Sequence, residues 1–394
     1  MKKRIRLFFF LPTYTFGGAE RTSSYLLDSL FNEDFDVVLA TSRKVYDEMG
    51  NPSVKEFIPI EDYQMGVWFY KRDSFVRDIK STARILERVK PDIAFGMMHY
   101  PSVLLAIARK IYRIKGLLVA SPRFPTKVYI ENFDYFESKH WRKYFYNLAF
   151  KAMFRWSDYF IVASSGMKQE CVSFYKVMPE RIYLIPNSVD IDLVVKLSNE
   201  KVEIQKPENG YIITTVGRIE KEKRYELLIK AMKKITGRLN AHLYLIGTGT
   251  QVDTLRQLSE EMGVHRSIHF LGYQPNPFKF MKQSDLFIHT CLFEGYGNII
   301  LEAMACGVPV LSVDCPYGPR DIIKDGFNGM LTPADEEVIA EKAVYLLSRE
   351  ELRRELADRG LRYCLSYRTE DMANRYITTF WDIWNRENGR CNSC

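Results

Sequence analysis

The chain has 394 residues, 46% hydrophobic, 14% aromatic and 27% charged, a globular composition that excludes a disordered or collagen-like chain. It suggests two domains or three, offers no run of eighteen apolar residues to cross a membrane as a helix, and its seven scattered cysteines imply no disulfide framework and a reducing compartment. The formal net charge of +7 lies wholly in the first half, where residues 1–200 carry 30 Lys/Arg against 23 Asp/Glu and residues 201–394 carry 26 of each.

The opening Met1-Lys2-Lys3-Arg4-Ile5-Arg6 mimics a signal peptide. Its apolar stretch, Leu7 to Leu11, stops at Pro12 and is too short for that role, so Ile5 to Leu11 reads as a first β-strand. A loop with two glycines, Phe16-Gly17-Gly18-Ala19-Glu20-Arg21, opens an amphipathic helix from about Ala19 to Leu30. Strands are then predicted at Val37–Thr41 and, after a helical Arg84–Lys90 and a stop at Pro91, at Asp92–Met97. Tyr159–Ala163 and Ile182–Ile185 continue the series. The largely polar stretch from Ile191 to Asn209, punctuated by Pro207 and closed by Gly210, reads as a linker. Beyond it, strands are predicted at Tyr211–Val216, His242–Ile246, Ser267–Phe270, Leu286–Thr290 and Val308–Val313.

Alternating strands and helices imply an α/β protein with parallel sheets covered on both faces. Residues 5–30 and 211–235 share one layout of strand, Gly-bearing turn and helix, as two Rossmann-like domains in series would. The expected division is 1–192, a linker 193–209, 210–368, and a C-terminal helix 369–394 that crosses back to the first domain. In doubly wound sheets ligands bind beyond the carboxyl ends of the strands. The natural site is then a cleft that the two domains face.

Three motifs sit at such strand ends. The most specific runs from Cys291 through Glu294-Gly295-Tyr296-Gly297-Asn298 to Glu302, Cys306-Gly307 and Pro309. Its glycines let backbone approach a ligand, the helix opening near Asn298 offers N–H groups suited to a diphosphate, and Glu302 could accept two hydrogen bonds from a ribose diol. Gly217-Arg218-Ile219-Glu220-Lys221-Glu222-Lys223 places two cations, Arg218 and Lys223, where they could clamp a diphosphate leaving group. Gly17 and Gly18 make an anion or sugar cradle, or simply a tight turn.

Taken in order, Gly-Gly-Ala-Glu-Arg at 17–21, Pro91-Asp92-Ile93, Ile185-Pro186-Asn187-Ser188-Val189-Asp190, Gly217-Arg218 with Lys223, Glu294 to Glu302 and Cys306-Gly307-Val308-Pro309-Val310 resemble the family-four retaining glycosyltransferases of the GT-B fold. The resemblance covers nearly the whole chain. It implies that Arg218 and Lys223 hold the donor diphosphate, Glu302 the ribose and Glu294 the donor sugar's hydroxyls. The backbone at Gly297 and Asn298 would face diphosphate or sugar, and Gly17 and Gly18 would lie near donor phosphate and acceptor. His99, just past the strand ending at Met97, matches the approximate place of an active-site histidine. The sequence departs from the family at Asn187-Ser188-Val189-Asp190, at Lys223-Arg224 and at Asp314-Cys315-Pro316-Tyr317-Gly318-Pro319-Arg320-Asp321. The Tyr-Gly-Pro form resembles a subset using UDP-hexoses or UDP-N-acetylhexosamines.

The implied reaction transfers a sugar from a nucleotide-sugar to a glycan or lipid-linked acceptor in cell-surface polysaccharide or glycoconjugate synthesis. The donor is a substrate, and neither cofactor nor metal is expected, since Arg218, Lys223 and the helix dipole take a metal's place. Asp190-Ile191-Asp192 has a metal-site spacing but leads into the linker. Cys391-Asn-Ser-Cys394 lacks a second pair.

On the acceptor side, Lys139 to Trp156 carries Lys139, Arg142, Lys143, Lys151 and Arg155 and no acid. Trp141, Phe145, Leu148, Ala152 and Trp156 form a stripe expected to face a core, leaving Lys139, Lys143, Tyr146, Phe150 and Phe154 outward. Together with the basic first half, this suits an anionic membrane surface or a lipid-diphosphate acceptor at the cytoplasmic face; a helix buried on two sides is the other reading. A dinucleotide oxidoreductase is disfavoured, because Gly247-Thr-Gly249 lacks a third glycine. A sugar-nucleotide epimerase on the same fold is the nearer alternative. A nucleic-acid binder would explain the charge but not the glutamate block, and no nucleic-acid partner is expected.

Overall fold

The computed structural model describes residues 4–13, 18–31, 35–50, 52–66, 72–132, 141–204 and 206–391. The chain divides into two compact units, residues 1–187 with 369–394, and residues 188–368.

The first unit is built on a sheet ordered β3-β2-β1-β4-β5-β6-β7. Its strands are β1 Ile5–Phe10, β2 Phe35–Thr41, β3 Glu56–Pro59, β4 Ile93–Met97, β5 Leu117–Ser121, β6 Tyr159–Val162 and β7 Ile182–Leu184. Every pairing is parallel. β1 and β4 are buried along nearly their whole length, which is why they read as unbroken apolar runs rather than alternating ones. The helix Gly18–Phe31 follows β1, and the helix Arg72–Val89 extends well before the expected Arg84–Lys90.

The second unit repeats the plan with β8 Tyr211–Val216, β9 Ala241–Ile246, β10 Ile268–Gly272, β11 Leu286–His289, β12 Val310–Val313 and β13 Met330–Thr332, ordered β10-β9-β8-β11-β12-β13 and again all parallel. In each sheet the strand order reverses beside the first strand of the unit, between β1 and β4 and between β8 and β11. Those switch points are where a doubly wound sheet leaves a crevice for a ligand.

The division falls at Asn187 and Ser188, earlier than residue 192. Residues Ile191–Ser198, read as the start of a linker, form a helix of the second unit. Asp190 caps it, its Oδ1 accepting from the Leu193 N–H at 2.9 Å, and Val194 is buried. The cap and the apolar cluster Leu193-Val194-Val195 with Leu197 outweigh the flanking polarity.

The helix Thr369–Cys391 belongs to the first unit. Its Tyr376 and Phe380 are fully buried, and both meet the Phe95 ring edge-on, with centroids 6.0 and 5.3 Å away. The Tyr159 hydroxyl donates to Glu387 at 2.6 Å. Among the described residues, no helix is long and apolar enough to cross a membrane.

Candidate active site

In the second unit, the loops after β8 and β11 meet at the switch point. Lys223 ends a short 3-10 turn, Lys221–Lys223, and its backbone carbonyl accepts from the Thr290 hydroxyl at 2.8 Å. The Leu292 N–H bonds the Glu222 carbonyl at 2.8 Å. These two ties hold the loops together and bring the Lys223 ammonium to 2.5 Å from Glu294 Oε1. Both side chains are largely buried, 17% and 16% exposed.

Two more groups converge on the same oxygen: His289 Nε2 at 3.1 Å and Cys291 Sγ at 3.1 Å. His289 Nδ1 lies 3.1 Å from Ser312 Oγ, which braces the ring from β12. Burial alone would push the Glu294 carboxyl up; the Lys223 ammonium and His289 outweigh it and hold the group well below the usual carboxylate range. Burial likewise opposes the Lys223 charge, but the neighbouring Glu294 carboxylate leaves the ammonium above its ordinary range. Burial and the Glu294 charge push the Cys291 thiol up, so it stays protonated and donates.

The glutamate loop ends at Gly297, whose φ of +94° is left-handed backbone that glycine adopts freely. The helix Asn298–Ala305 starts there, so its positive end lies beside the Lys223–Glu294 pair. Gly318, at φ +89°, backs the loop so tightly that a Cβ on it would stand 2.0 Å from the Tyr296 carbonyl oxygen. The Tyr317-Gly318-Pro319 sequence thus acts as a wall behind the glutamate loop. Asn298 and Glu302 are half-buried on the helix. Arg218 stands apart from Glu294, its side chain 76% exposed and paired with Glu222 at 3.1 Å.

His289, Cys291 and Glu294 offer ligand atoms within 4.8 Å of one another. The set fits a divalent cation poorly, because the shared oxygen already faces an ammonium at 2.5 Å and the thiol is biased against the thiolate that a metal binds. Asp190, half of the Asp-x-Asp, serves as a helix cap.

In the first unit, His99 opens the helix His99–Tyr112 directly beyond β4. The ring is buried, stacked on Phe124 at 3.7 Å and edge-on to Phe150 at 5.3 Å. Nδ1 accepts from the Arg123 N–H at 3.4 Å, and Nε2 is buried with no partner among the described residues. Burial lowers its pKa to about 3, aided by the Arg123 charge, so the ring is neutral near pH 7 and acts as a hydrogen-bonding group. Arg123, which sequence reasoning passed over, also donates to Asn187 Oδ1 at 2.9 Å and to the Tyr376 hydroxyl at 2.8 Å. It fixes His99 and the end of the first unit in one step. Gly18 begins the helix Gly18–Phe31; Gly17 lies outside the described residues.

The helix Trp141–Trp156 is rotated from the expected phase. Tyr146, Ala149, Phe150, Met153 and Phe154 are buried, whereas Trp141, Tyr144 and Leu148 are 56%, 74% and 68% exposed. Lys151 and Arg155 extend this outward stripe, Arg142 and Lys143 are half-buried, and Lys139 lies outside the described residues. Trp141 and Leu148 of the supposed core stripe therefore face outward, because Phe150 is claimed by His99 and Phe124.

Residues 16–193 match the family model described as Glycosyltransferase Family 4, and residues 198–362 the one described as Glycosyl transferases group 1. The chain belongs to glycosyltransferase family 4. Among family relatives, it is similar to the N-acetylgalactosamine-N,N'-diacetylbacillosaminyl-diphospho-undecaprenol 4-alpha-N-acetylgalactosaminyltransferase of Campylobacter jejuni, 25% identical over 62% of this chain and 64% of that protein. It is also similar to the lipopolysaccharide 1,6-galactosyltransferase of Salmonella typhimurium, 31% identical over 45% of this chain and 48% of that one. The matches span from 44% to 64% of the length of the first curated relatives. Anabaena HepE, solved in complex with UDP and glucose, shares the GT-B fold with a TM-score of 0.72, at 18% identity, over 96% of this chain and 100% of that one.

Proposed function

We propose that the protein is a retaining glycosyltransferase that moves a sugar from a UDP-sugar to a glycan or lipid-linked acceptor in cell-surface polysaccharide or glycoconjugate synthesis. The observation that carries this reading is the Lys223–Glu294 pair, seated at the β8/β11 switch point beside the start of a helix. An ammonium has three N–H donors. Glu294 takes one and two remain for the donor's diphosphate oxygens. Arg218, exposed at the same loop, adds a second cation once diphosphate arrives, and the helix start adds a positive partial charge. These groups meet the charge that develops on the leaving diphosphate and take a metal's place. Glu294, held ionised, accepts from hydroxyls of the donor sugar, and Glu302 binds the ribose diol. Gly17 and Gly18 serve the donor phosphate and the acceptor, and a neutral His99 acts as an active-site hydrogen-bonding group, all three from the first unit.

The relatives whose names specify lipopolysaccharide or diphospho-undecaprenol acceptors support an acceptor carried at a membrane. The outward stripe Trp141-Tyr144-Leu148-Lys151-Arg155 supports peripheral contact with an anionic leaflet, aromatics entering the headgroup level and cations meeting phosphates.

The deciding test is acceptor-dependent turnover with UDP-, GDP- and ADP-sugars in the presence of EDTA. UDP release coupled to an α-linked product from an α-linked donor is expected. Isomerised free sugar without transfer would point to the epimerase instead, and strict Mn²⁺ dependence would overturn the metal-free mechanism.

A further inference from the structure

At the opposite end of the first unit's sheet from His99 lies a polar cavity of about 500 Å³. It sits at the amino ends of β5, β6 and β7. Arg109, Lys110 and Arg113 reach it from the end of the helix His99–Tyr112, Arg155 from the end of the helix Trp141–Trp156, and Arg181 from the turn before β7. Its single carboxylate, Asp158, is already taken up. It receives both guanidinium nitrogens of Arg109 and the Leu118 N–H at 2.8 Å. Arg109 is itself consumed by that contact and by the carbonyls of Gly116 and Trp156, at 2.9 and 3.0 Å. Lys110, Arg113, Arg155 and Arg181 have no salt-bridge partner among the described residues.

Cations at helix C-termini can simply offset the helix dipole. That explanation leaves out two features of this cavity. Arg181 ends no α-helix. Ser157, only 3% exposed, is among the lining residues, and its buried hydroxyl has no hydrogen-bond partner among the described residues. A buried hydroxyl without a partner is costly; turned toward the cavity, it would donate to a tetrahedral anion that also collects the forked N–H donors of these guanidinium groups.

We infer that this cavity is a phosphate-binding site, separate from the transfer site and recognising a phosphate ester. The chemistry is the same whether the phosphate belongs to a soluble molecule or to a lipid headgroup. The inference does not depend on the proposed reaction, since it concerns the opposite end of the strands.

Binding of inorganic phosphate is measured by calorimetry at constant ionic strength, with UDP present to occupy any donor site. Wild type, Arg113→Gln with Arg181→Gln, and Ser157→Ala are compared, with folding checked by circular dichroism. The double variant is expected to lose at least tenfold in affinity. Ser157→Ala, which removes no charge, should lose roughly tenfold, the scale of one hydrogen bond to a charged group. Vesicles of phosphatidic acid in phosphatidylcholine then separate the sources. Pelleting that needs Arg113 and Arg181 and is reversed by phosphate assigns a lipid headgroup; phosphate binding without such pelleting assigns a soluble ester. Phosphate affinity equal in wild type and both variants, or none in wild type, overturns the inference.

Discussion

Glu294 gathers an ammonium, an imidazole and a thiol on one oxygen, so its partners differ in what their loss should do. Lys223→Ala leaves a largely buried carboxylate without its cation and should cost roughly 3–5 kcal/mol of stability, together with a fall in kcat of about 10²-fold. Arg218 is mostly exposed. Arg218→Ala should lower kcat on the same scale while leaving stability within about 0.5 kcal/mol. Urea unfolding beside turnover separates the two; wild-type turnover in Arg218→Ala would remove it from the site. His99 supplies a pH signature. Its folded pKa is depressed to about 3, so between the unfolded value of about 6.5 and that folded value the unfolded chain binds more protons, and stability falls as pH falls. His242 and His269 are shifted the same way. The difference between wild type and His99→Gln, followed by denaturation from pH 7.5 to 4.5, isolates the contribution of His99, and the variant should show the shallower fall. The glutamate block and Lys223 were legible because glycines and charges at a strand end are rare enough to read. His289 carried a weaker signal, a lone histidine at the end of a predicted strand, and Arg123 carried none, because the strand before it went unseen.

The helix Trp141–Trp156 shows where reading by element runs out. Its aromatics lie all round, so spacing fixes that it is a helix but leaves its rotation open. The neighbours decide the rotation, Phe124 and His99 claiming Phe150 while Tyr146 meets Tyr129. Phe150→Ala should therefore cost about 3–5 kcal/mol. Changing Trp141, Tyr144 and Leu148 together to Gln should leave stability nearly unchanged and weaken pelleting with anionic vesicles at low salt. Unchanged pelleting would show that this stripe is not the docking face. Three strands escaped the sequence reading for local reasons. β3 is a four-residue edge strand, half-exposed and ending at Pro59; β13 has three residues, also at an edge; β5 follows the basic run Arg109 to Lys115, which hides its apolar start. The buried central strands were legible because burial on both faces writes itself as continuous apolar sequence.

Across the whole molecule, the two-sheet plan could be read from the repeated strand–turn–helix layout, while the junction could not, because Asp190 turns a polar stretch into a capped helix. The core of the first unit is assembled from both ends of the chain, with Leu7, Phe9 and Phe95 sharing it with Met372, Tyr376, Phe380 and Ile383. A chain ending at Arg368 should therefore lose the folding transition of the first unit and keep that of the second, which calorimetry of the truncated protein would reveal as one endotherm in place of two. The same discontinuity sets an order of assembly. Residues 188–368 are complete before Tyr376 and Phe380 are made, so during synthesis the second unit can close while the first still waits, its apolar strands uncovered, for the last residues of its core to leave the ribosome.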